Sequence, residues 1–302
     1  MNGTIIKSTG SWYKVLLDDK SIIDARLRGV FKTLDLKLTN PIAVGDLVTV
    51  SKEENQNTYI IKEIHERKNY FLRKSTRKNH HFHILASNLD VAVLVVSLKH
   101  PRTSTGFIDR FSVIVEKQHI PVLIVFNKVD LLNDKHLQKA QDLAKVYESI
   151  GYNTLLCSAE KQIGINKLAS FIKGKTIMIM GHSGVGKSSL VNCIYPDLNL
   201  RIGEISNFTD KGTHTTTHAE MHLIEDGTKL IDTPGIKEIG IADIEPHELW
   251  HYFPELTKYA NNCKFHNCTH THEPGCAVIS QLEKGNISEE RYRNYLSMLE
   301  DE

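Results

Sequence analysis

The sequence predicts an α/β protein in three parts, and three observations carry that prediction. Residues 1–68 hold short alternating strands, and residues 69–240 hold apolar strands that end in glycine- or aspartate-bearing motifs. Residues 241–302 gather cysteine and histidine among helical segments. The expected order is a small β-barrel, a doubly wound α/β domain and a mainly helical metal-binding unit.

The first part contains five short apolar runs: Gly3-Thr-Ile-Ile-Lys7, Tyr13-Lys-Val-Leu-Leu17, Ile22-Ile-Asp-Ala-Arg26, Asp46-Leu-Val-Thr-Val50 and Tyr59-Ile-Ile-Lys-Glu-Ile64. Asp18-Asp19, Asn40-Pro41 and Val44-Gly-Asp46 supply turns between them. Short alternating runs bounded by turn residues mark strands with one buried face. Five of them in this length suit a small barrel, with the OB-fold as the first choice. Such barrels often bind RNA, but a fold alone decides no function. From Arg67 to Lys78 the chain carries Arg67, Lys68, Arg73, Lys74, Arg77 and Lys78 and no acid, with Tyr70 and Phe71 interleaved. That stretch reads either as a solvated linker or as a contact for an RNA backbone.

In the second part, Val122-Leu-Ile-Val-Phe126 reads as a buried strand that ends in Asn127-Lys128-Val129-Asp130. Ligands of open α/β sheets bind at such strand ends. An aspartate there can accept two N–H donors from the Watson–Crick edge of guanine. Adenine presents an acceptor instead and would leave the carboxylate without its donors. Asn127 is expected to brace the neighbouring loops and Lys128 to lay its stem over the base. A second strand, Asn153-Thr-Leu-Leu-Cys157, ends in Ser158-Ala159, whose backbone N–H groups suit guanine O6.

Next comes Gly181-His182-Ser183-Gly184-Val185-Gly186-Lys187-Ser188, followed by Ser189. It matches G-x-x-x-x-G-K-[ST], and it lies between a strand, Lys175–Met180, and a helix, Ser188–Ile194. The glycines let backbone N–H groups curl around phosphates at a helix N-terminus. Lys187 is expected to reach the β- and γ-phosphates, and the Ser188 hydroxyl to bind Mg²⁺. Downstream, Leu230-Ile-Asp-Thr-Pro-Gly235 matches D-x-x-G, with Asp232 expected on Mg²⁺ and the Gly235 N–H on the γ-phosphate. Between them lies Lys211-Gly-Thr-His-Thr-Thr-Thr217. One threonine here is expected to coordinate Mg²⁺ when the γ-phosphate is present. Thr216 is preferred, with Thr215 and Thr217 as rivals. Ile236 stands where many GTPases carry the glutamine that orients the attacking water. Intrinsic hydrolysis is therefore expected to be slow, with His214 or a partner's group placing the water.

The order of these motifs is rotated. An ordinary GTPase has the phosphate loop first and N-K-x-D well downstream, whereas here Asn127–Asp130 precedes Gly181. The set reads as a circularly permuted P-loop GTPase domain. A P-loop transferase would need neither the base reader nor D-x-x-G.

The third part carries Cys263-x₄-Cys268-x-His270-x₅-Cys276. Three thiolates and an imidazole make a closed tetrahedral set suited to one structural Zn²⁺. Metal staples a region with little other core. Cys157 and Cys193 fall within core elements and read as small hydrophobes. Helices are expected over Pro246–Phe253, over Val278–Glu283, and from a Ser288 N-cap to Leu299.

Composition bounds the class. Hydrophobic residues at 40% and charged residues at 24% fit a soluble globular chain of 302 residues. The longest apolar runs, such as Val91–Val96, fall far short of a membrane span. The start lacks a charged segment followed by a long apolar one, so no membrane association and a cytoplasmic location are expected. Net charge is +1, so any RNA binding must come from local patches. A monomer is expected.

Taken together, the OB-like start, NKVD ahead of GHSGVGKSS, HTTT, DTPG followed by Ile, and C-x₄-C-x-H-x₅-C resemble the RsgA (YjeQ) family of GTPases over nearly the whole chain. The resemblance implies a three-domain protein that binds the immature small ribosomal subunit and its rRNA. It also implies GTP hydrolysis to GDP and phosphate, stimulated by that subunit, late in its maturation. Thr213 replaces a basic residue common in the family, and Glu160 replaces the lysine of its S-A-K motif. The connectivity adds one expectation. The D-x-x-G segment runs straight into the metal-binding unit, so nucleotide state is expected to tilt that unit. The competing reading is a GTP-binding regulator of a protein partner with no RNA role.

Overall fold

The computed structural model describes residues 1–27, 41–53, 58–74, 82–200, 219–232 and 244–300. Its first five strands are β1 (Asn2–Ser8), β2 (Trp12–Leu17), β3 (Ile22–Leu27), β4 (Leu47–Lys52) and β5 (Tyr59–Ile64). They run in the order β1-β2-β3-β5-β4, and β4 returns to β1, which closes the barrel. Only the β3–β5 pair is parallel. The inward residues include Ile5, Tyr13, Val15, Val48, Val50 and Ile61, the period-two set of the five runs.

β6 (Tyr70–Lys74) and β7 (Phe82–Ser87) form an antiparallel hairpin where a linker was one of the two readings. Phe71 explains the difference. It is 1% exposed and packs on Phe111, so the segment carries a core residue among its charges.

The central domain holds β8 (Val91–Val96), β9 (Val122–Phe126), β10 (Asn153–Leu156), β11 (Thr176–Met180), β12 (Glu220–Leu223) and β13 (Lys229–Asp232), in the order β10-β9-β8-β11-β13-β12. All neighbours are parallel except β12 and β13. Helices α1 (Thr105–Lys117) and α2 (Asp134–Ser149) cover one face, and α3 (Ile165–Ile172) and α4 (Lys187–Ile194) the other. β8 shows why its run is continuously apolar. Ala92, Leu94 and Val96 face the first pair of helices, and Val91, Val93 and Val95 face the second.

Two joints tie barrel to domain. β1 pairs with β12 at Lys7 and Glu220, whose side chains meet at 2.8 Å, so the two sheets are one. The second joint is the fully buried Asp46. Its carboxylate accepts from Arg67 Nε and Nη2, both at 2.7 Å, from Ser87 Oγ at 2.6 Å and from the Ala43 N–H at 2.8 Å. Arg67 is thus committed to this partly buried ion pair and leaves the basic stretch that sequence reasoning offered to RNA.

The C-terminal unit comprises a 3-10 helix (Pro246–Tyr252), α5 (Pro254–Ala260), α6 (Ala277–Glu283) and α7 (Glu289–Glu300). Leu249, Phe253, Leu256, Val278, Tyr295 and Met298 form its core, and Val113 of α1 belongs to that core as well. Beside it lies a buried ionic group. Arg291 donates to Asp109 Oδ1 at 2.5 Å and, through Nε and Nη2, to both oxygens of Glu255. Tyr147 and Asn294 complete the shell of Asp109, at 2.8 and 2.6 Å. This group fastens the unit to α1 and α2. No helix among the described residues is long and apolar enough to cross a membrane.

Candidate nucleotide site and metal centre

The glycine-rich loop leaves β11 at Met180 and enters α4 at Lys187, where a phosphate would meet a helix N-terminus. Two of its glycines are dictated by neighbours. Gly181 has φ +144°, and a Cβ there would sit 2.2 Å from the Val95 carbonyl oxygen. Gly186 has φ +98°, and its Cβ would sit 2.3 Å from Asn127 Nδ2. That same Nδ2 donates to the Val185 carbonyl at 2.8 Å. Asn127 therefore stitches the NKVD segment to the glycine-rich loop, although the two lie far apart in sequence. Lys187 Nζ donates to the carbonyls of Gly181 and His182, each at 2.8 Å. Burial pulls its pKa down to about 8 against the attraction of Asp232. An anion in the loop would restore the full cation. Asp232 ends β13 beside this loop, and the His182 ring lies on Phe107 at 3.9 Å.

A cavity of about 930 Å³ opens beside the loop, a volume fit for a nucleotide-sized ligand. Asn127, Lys128, Asp130, Ala159, Gly186 and Ser189 line it. Asp130 sits in a single 3-10 turn after Lys128, whose φ of 64° swings the chain out of β9. Lys128 Nζ donates to the His100 carbonyl at 2.6 Å, which stretches its stem along the cavity. Ser158 Oγ donates to Asp130 Oδ1 at 2.5 Å, so the two motifs expected to read the base meet. Gln162 and Asn192 line the cavity as well, and sequence reasoning passed over them. Cys193 packs against the core as its reading as a small hydrophobe expects, and, half-buried on α4, it also lines the cavity. Its place one turn past Ser189 was the available signal. Cys157 is core, and burial pushes its thiol up to about 11. His214, Thr215, Thr216, Thr217, Gly235 and Ile236 lie outside the described residues.

In the C-terminal unit the structure brings Cys263, Cys268, His270 and Cys276 together, with all four ligand atoms within 4.8 Å of one another. Cys263 Sγ and Cys276 Sγ are 3.9 Å apart, and each lies 3.5–3.6 Å from His270 Nδ1. A tetrahedral metal with bonds of about 2.0–2.3 Å needs edges of about 3.5–3.8 Å. The donor set therefore fits an ion held through Nδ1. Burial pushes the Cys268 thiol up to about 12, so a thiolate there calls for a cation. Backbone N–H groups of Ala277 and Ile279 point at Cys263 and Cys276, and Tyr292 and Tyr295 hold the loop by its carbonyls at 2.6 Å. Such outer contacts fix the donors before any metal arrives.

A doubly wound sheet with these motifs in this rotated order defines a circularly permuted P-loop GTPase. The description RsgA GTPase matches residues 64–242, and RsgA N-terminal domain matches residues 2–60. One relative is the small ribosomal subunit biogenesis GTPase RsgA 2 of Bacteroides thetaiotaomicron. It is 46% identical over 301 residues, covering 100% of this chain and 97% of the relative. The small ribosomal subunit biogenesis GTPase RsgA of Flavobacterium johnsoniae is 46% identical over 302 residues, covering 99% and 93%. Among solved structures, YjeQ from Thermotoga maritima is similar with a TM-score of 0.79 and 34% identity, covering 99% of this chain and 97% of that one. The circularly permuted GTPase YloQ is similar with a TM-score of 0.75 and 32% identity, covering 99% and 94%. The chain belongs to the RsgA GTPase family.

Proposed function

We propose that this protein is a GTPase of small-ribosomal-subunit maturation that binds the subunit and its rRNA in the GTP state and hydrolyses GTP to GDP there. The observation that carries it is the match over the whole chain to proteins bearing that name. The geometry supports the assignment of roles. Asp130 reads the guanine edge, Ser158 and Ala159 supply donors toward O6, and Lys128 covers the base. Residues 181–189 cradle the phosphates, with Lys187 on the β- and γ-oxygens. Ser188, Asp232 and Thr216 would hold Mg²⁺, which would supply positive charge against the phosphate oxygens. Gly235 would contact the γ-phosphate, and His214 would orient the water. The protein works in the cytoplasm, as a monomer.

Stimulation by the subunit is the deciding test. GTP turnover should be slow alone and rise steeply with purified small subunits. His214→Ala should keep nucleotide affinity and lose about a hundredfold of the stimulated rate, the scale of one positioned catalytic group. The protein should co-sediment with subunits more strongly in a non-hydrolysable GTP analogue than in GDP. No stimulation and no sedimentation would favour the regulator of a protein partner.

The Cys₃His set is assigned to one Zn²⁺ of structural role. Elemental analysis should find about one equivalent per chain. Cys268→Ser should release it and expose residues after 244 to protease. Full zinc content in that variant would sink the ligand set.

A further inference from the structure

Two cavity-lining side chains outside the known motifs, Gln162 and Cys193, form a closed triangle with the Ala159 carbonyl. Gln162 Nε2 donates to the Ala159 carbonyl at 3.0 Å and lies 3.2 Å from Cys193 Sγ. Cys193 Sγ in turn donates to the Ala159 carbonyl at 3.5 Å. Gln162 is on the loop after β10, and Cys193 is on α4, the helix that opens with the phosphate loop. The loop is a tight one. Ser158 and Ile163 bridge each other through two backbone hydrogen bonds of 3.0 Å, and Gln162 between them has φ 56°. A left-handed glutamine is a strained choice that persists only where the surroundings hold it. Its side chain is turned back onto the loop it belongs to.

From this we infer that Gln162 and Cys193 are positioning residues for base recognition, pinning the Ala159–Glu160 peptide by its carbonyl so that the Glu160 N–H in the same plane stays turned to the cavity for the base's O6. Two observations meet here. The Ala159 carbonyl takes two donors although it lies at the cavity rim, where water could have served it. The Glu160 N–H, which shares that carbonyl's peptide plane at the cavity wall, has no partner among the described residues. A donor left open at a ligand wall is useful only if its direction is fixed, because a freely turning peptide dilutes the bond it makes. The triangle supplies that direction from two sides, one within the loop and one from α4. It also couples the base wall to the helix under the phosphates, so the two halves of the pocket keep their spacing.

The inference rests on the guanine reading of the pocket, and its test separates the two. Binding of GDP, 6-thio-GDP and ADP is measured for the parent, Gln162→Ala, Cys193→Ala and Cys193→Ser. 6-Thio-GDP keeps the N1 and N2 donors for Asp130 but replaces O6 by a poorer acceptor. The parent should prefer GDP over 6-thio-GDP. Gln162→Ala should lose about tenfold in GDP affinity, the scale of one hydrogen bond, and about twofold or less for 6-thio-GDP. Cys193→Ala should do the same more weakly, and Cys193→Ser, which keeps a donor and an acceptor, should restore the preference. Parallel losses for both nucleotides, no loss for either, or a parent indifferent to the O6 exchange would overturn the inference. Should Gln162→Ala fail to fold, the Cys193 pair decides on the same ratio. A parent that binds ADP as well as GDP would instead overturn the guanine reading itself.

Discussion

Asp130→Asn is expected to cost GTP about a hundredfold or more in affinity and to create binding of xanthosine triphosphate. The carboxylate stands at the cavity wall with Oδ1 taken by Ser158 and its body facing the base space. Guanine offers N1–H and N2–H to it, two bonds to a charged acceptor that contribute about 1.5–3 kcal/mol each. An asparagine presents one donor and one acceptor, which mismatches guanine's N2 amine and suits the O2 of xanthine. The reversal is the informative part. Loss of GTP alone could follow from a collapsed loop, whereas gain of xanthosine triphosphate requires an intact pocket with an inverted pattern. Equilibrium titration with fluorescent forms of both nucleotides checks it. Unchanged GTP affinity would remove Asp130 as the base reader.

Much of this site was legible in the chain because it is built on strand ends. The runs before Asn127, Ser158, Gly181 and Asp232 are apolar enough to be strands, and the motif after each has one place to go in an open sheet. The barrel was legible for a related reason, since period two plus turn residues leaves few alternatives to strands. What spacing cannot express is which surface meets which. Asn127 binding Val185, and Asp46 gathering Arg67 and Ser87, join residues distant in sequence and depend on the assembled fold. A basic residue in a basic run reads as solvated, and nothing local marks Arg67 as the one held inside. The hairpin of β6 and β7 was half hidden for the same reason, its single core residue Phe71 being set among charges. Arg291 did leave a trace. With Tyr295 and Met298 it falls on the buried stripe of α7, a cation in a core position that called for a buried partner.

That arginine carries the largest expected effect on stability. Arg291 is 2% exposed and sits between two buried carboxylates, Asp109 and Glu255. Arg291→Met keeps the volume and removes the cation, leaving both carboxylates without it, which should destabilise the C-terminal unit by about 3–5 kcal/mol. Asp109→Asn should be far milder, because Arg291 and Glu255 remain a matched pair and the Asn294 amide can rotate to serve the new side chain. Added to Arg291→Met, Asp109→Asn should recover a large part of the loss, so the two changes are strongly non-additive. Urea unfolding followed by Trp250 fluorescence, in a Trp12→Phe background, measures all four corners of the cycle. The pH dependence has a definite sign. Burial already pushes the Asp109 carboxyl above its usual range against the pull of Arg291, and removing the cation pushes it further. A carboxyl whose folded pKa is raised binds more protons folded than unfolded. Stability is then greatest below the unfolded value of about 4 and falls as pH rises through the folded value. The deficit of Arg291→Met should therefore shrink toward acid pH and grow toward neutrality. The consequence for function follows from where α1 lies. Phe107 at its start packs on His182 of the phosphate loop, and Asp109 two residues on holds the C-terminal unit. Tilting the unit on its connecting segment, as the connectivity leads one to expect, would part this buried ionic group unless α1 moved with it, so the two are expected to move together. Arg291→Met should then bind GTP like the parent yet lose its response to small subunits, while additive stabilities across the cycle, or a full response in the destabilised protein, would refute the fastening role.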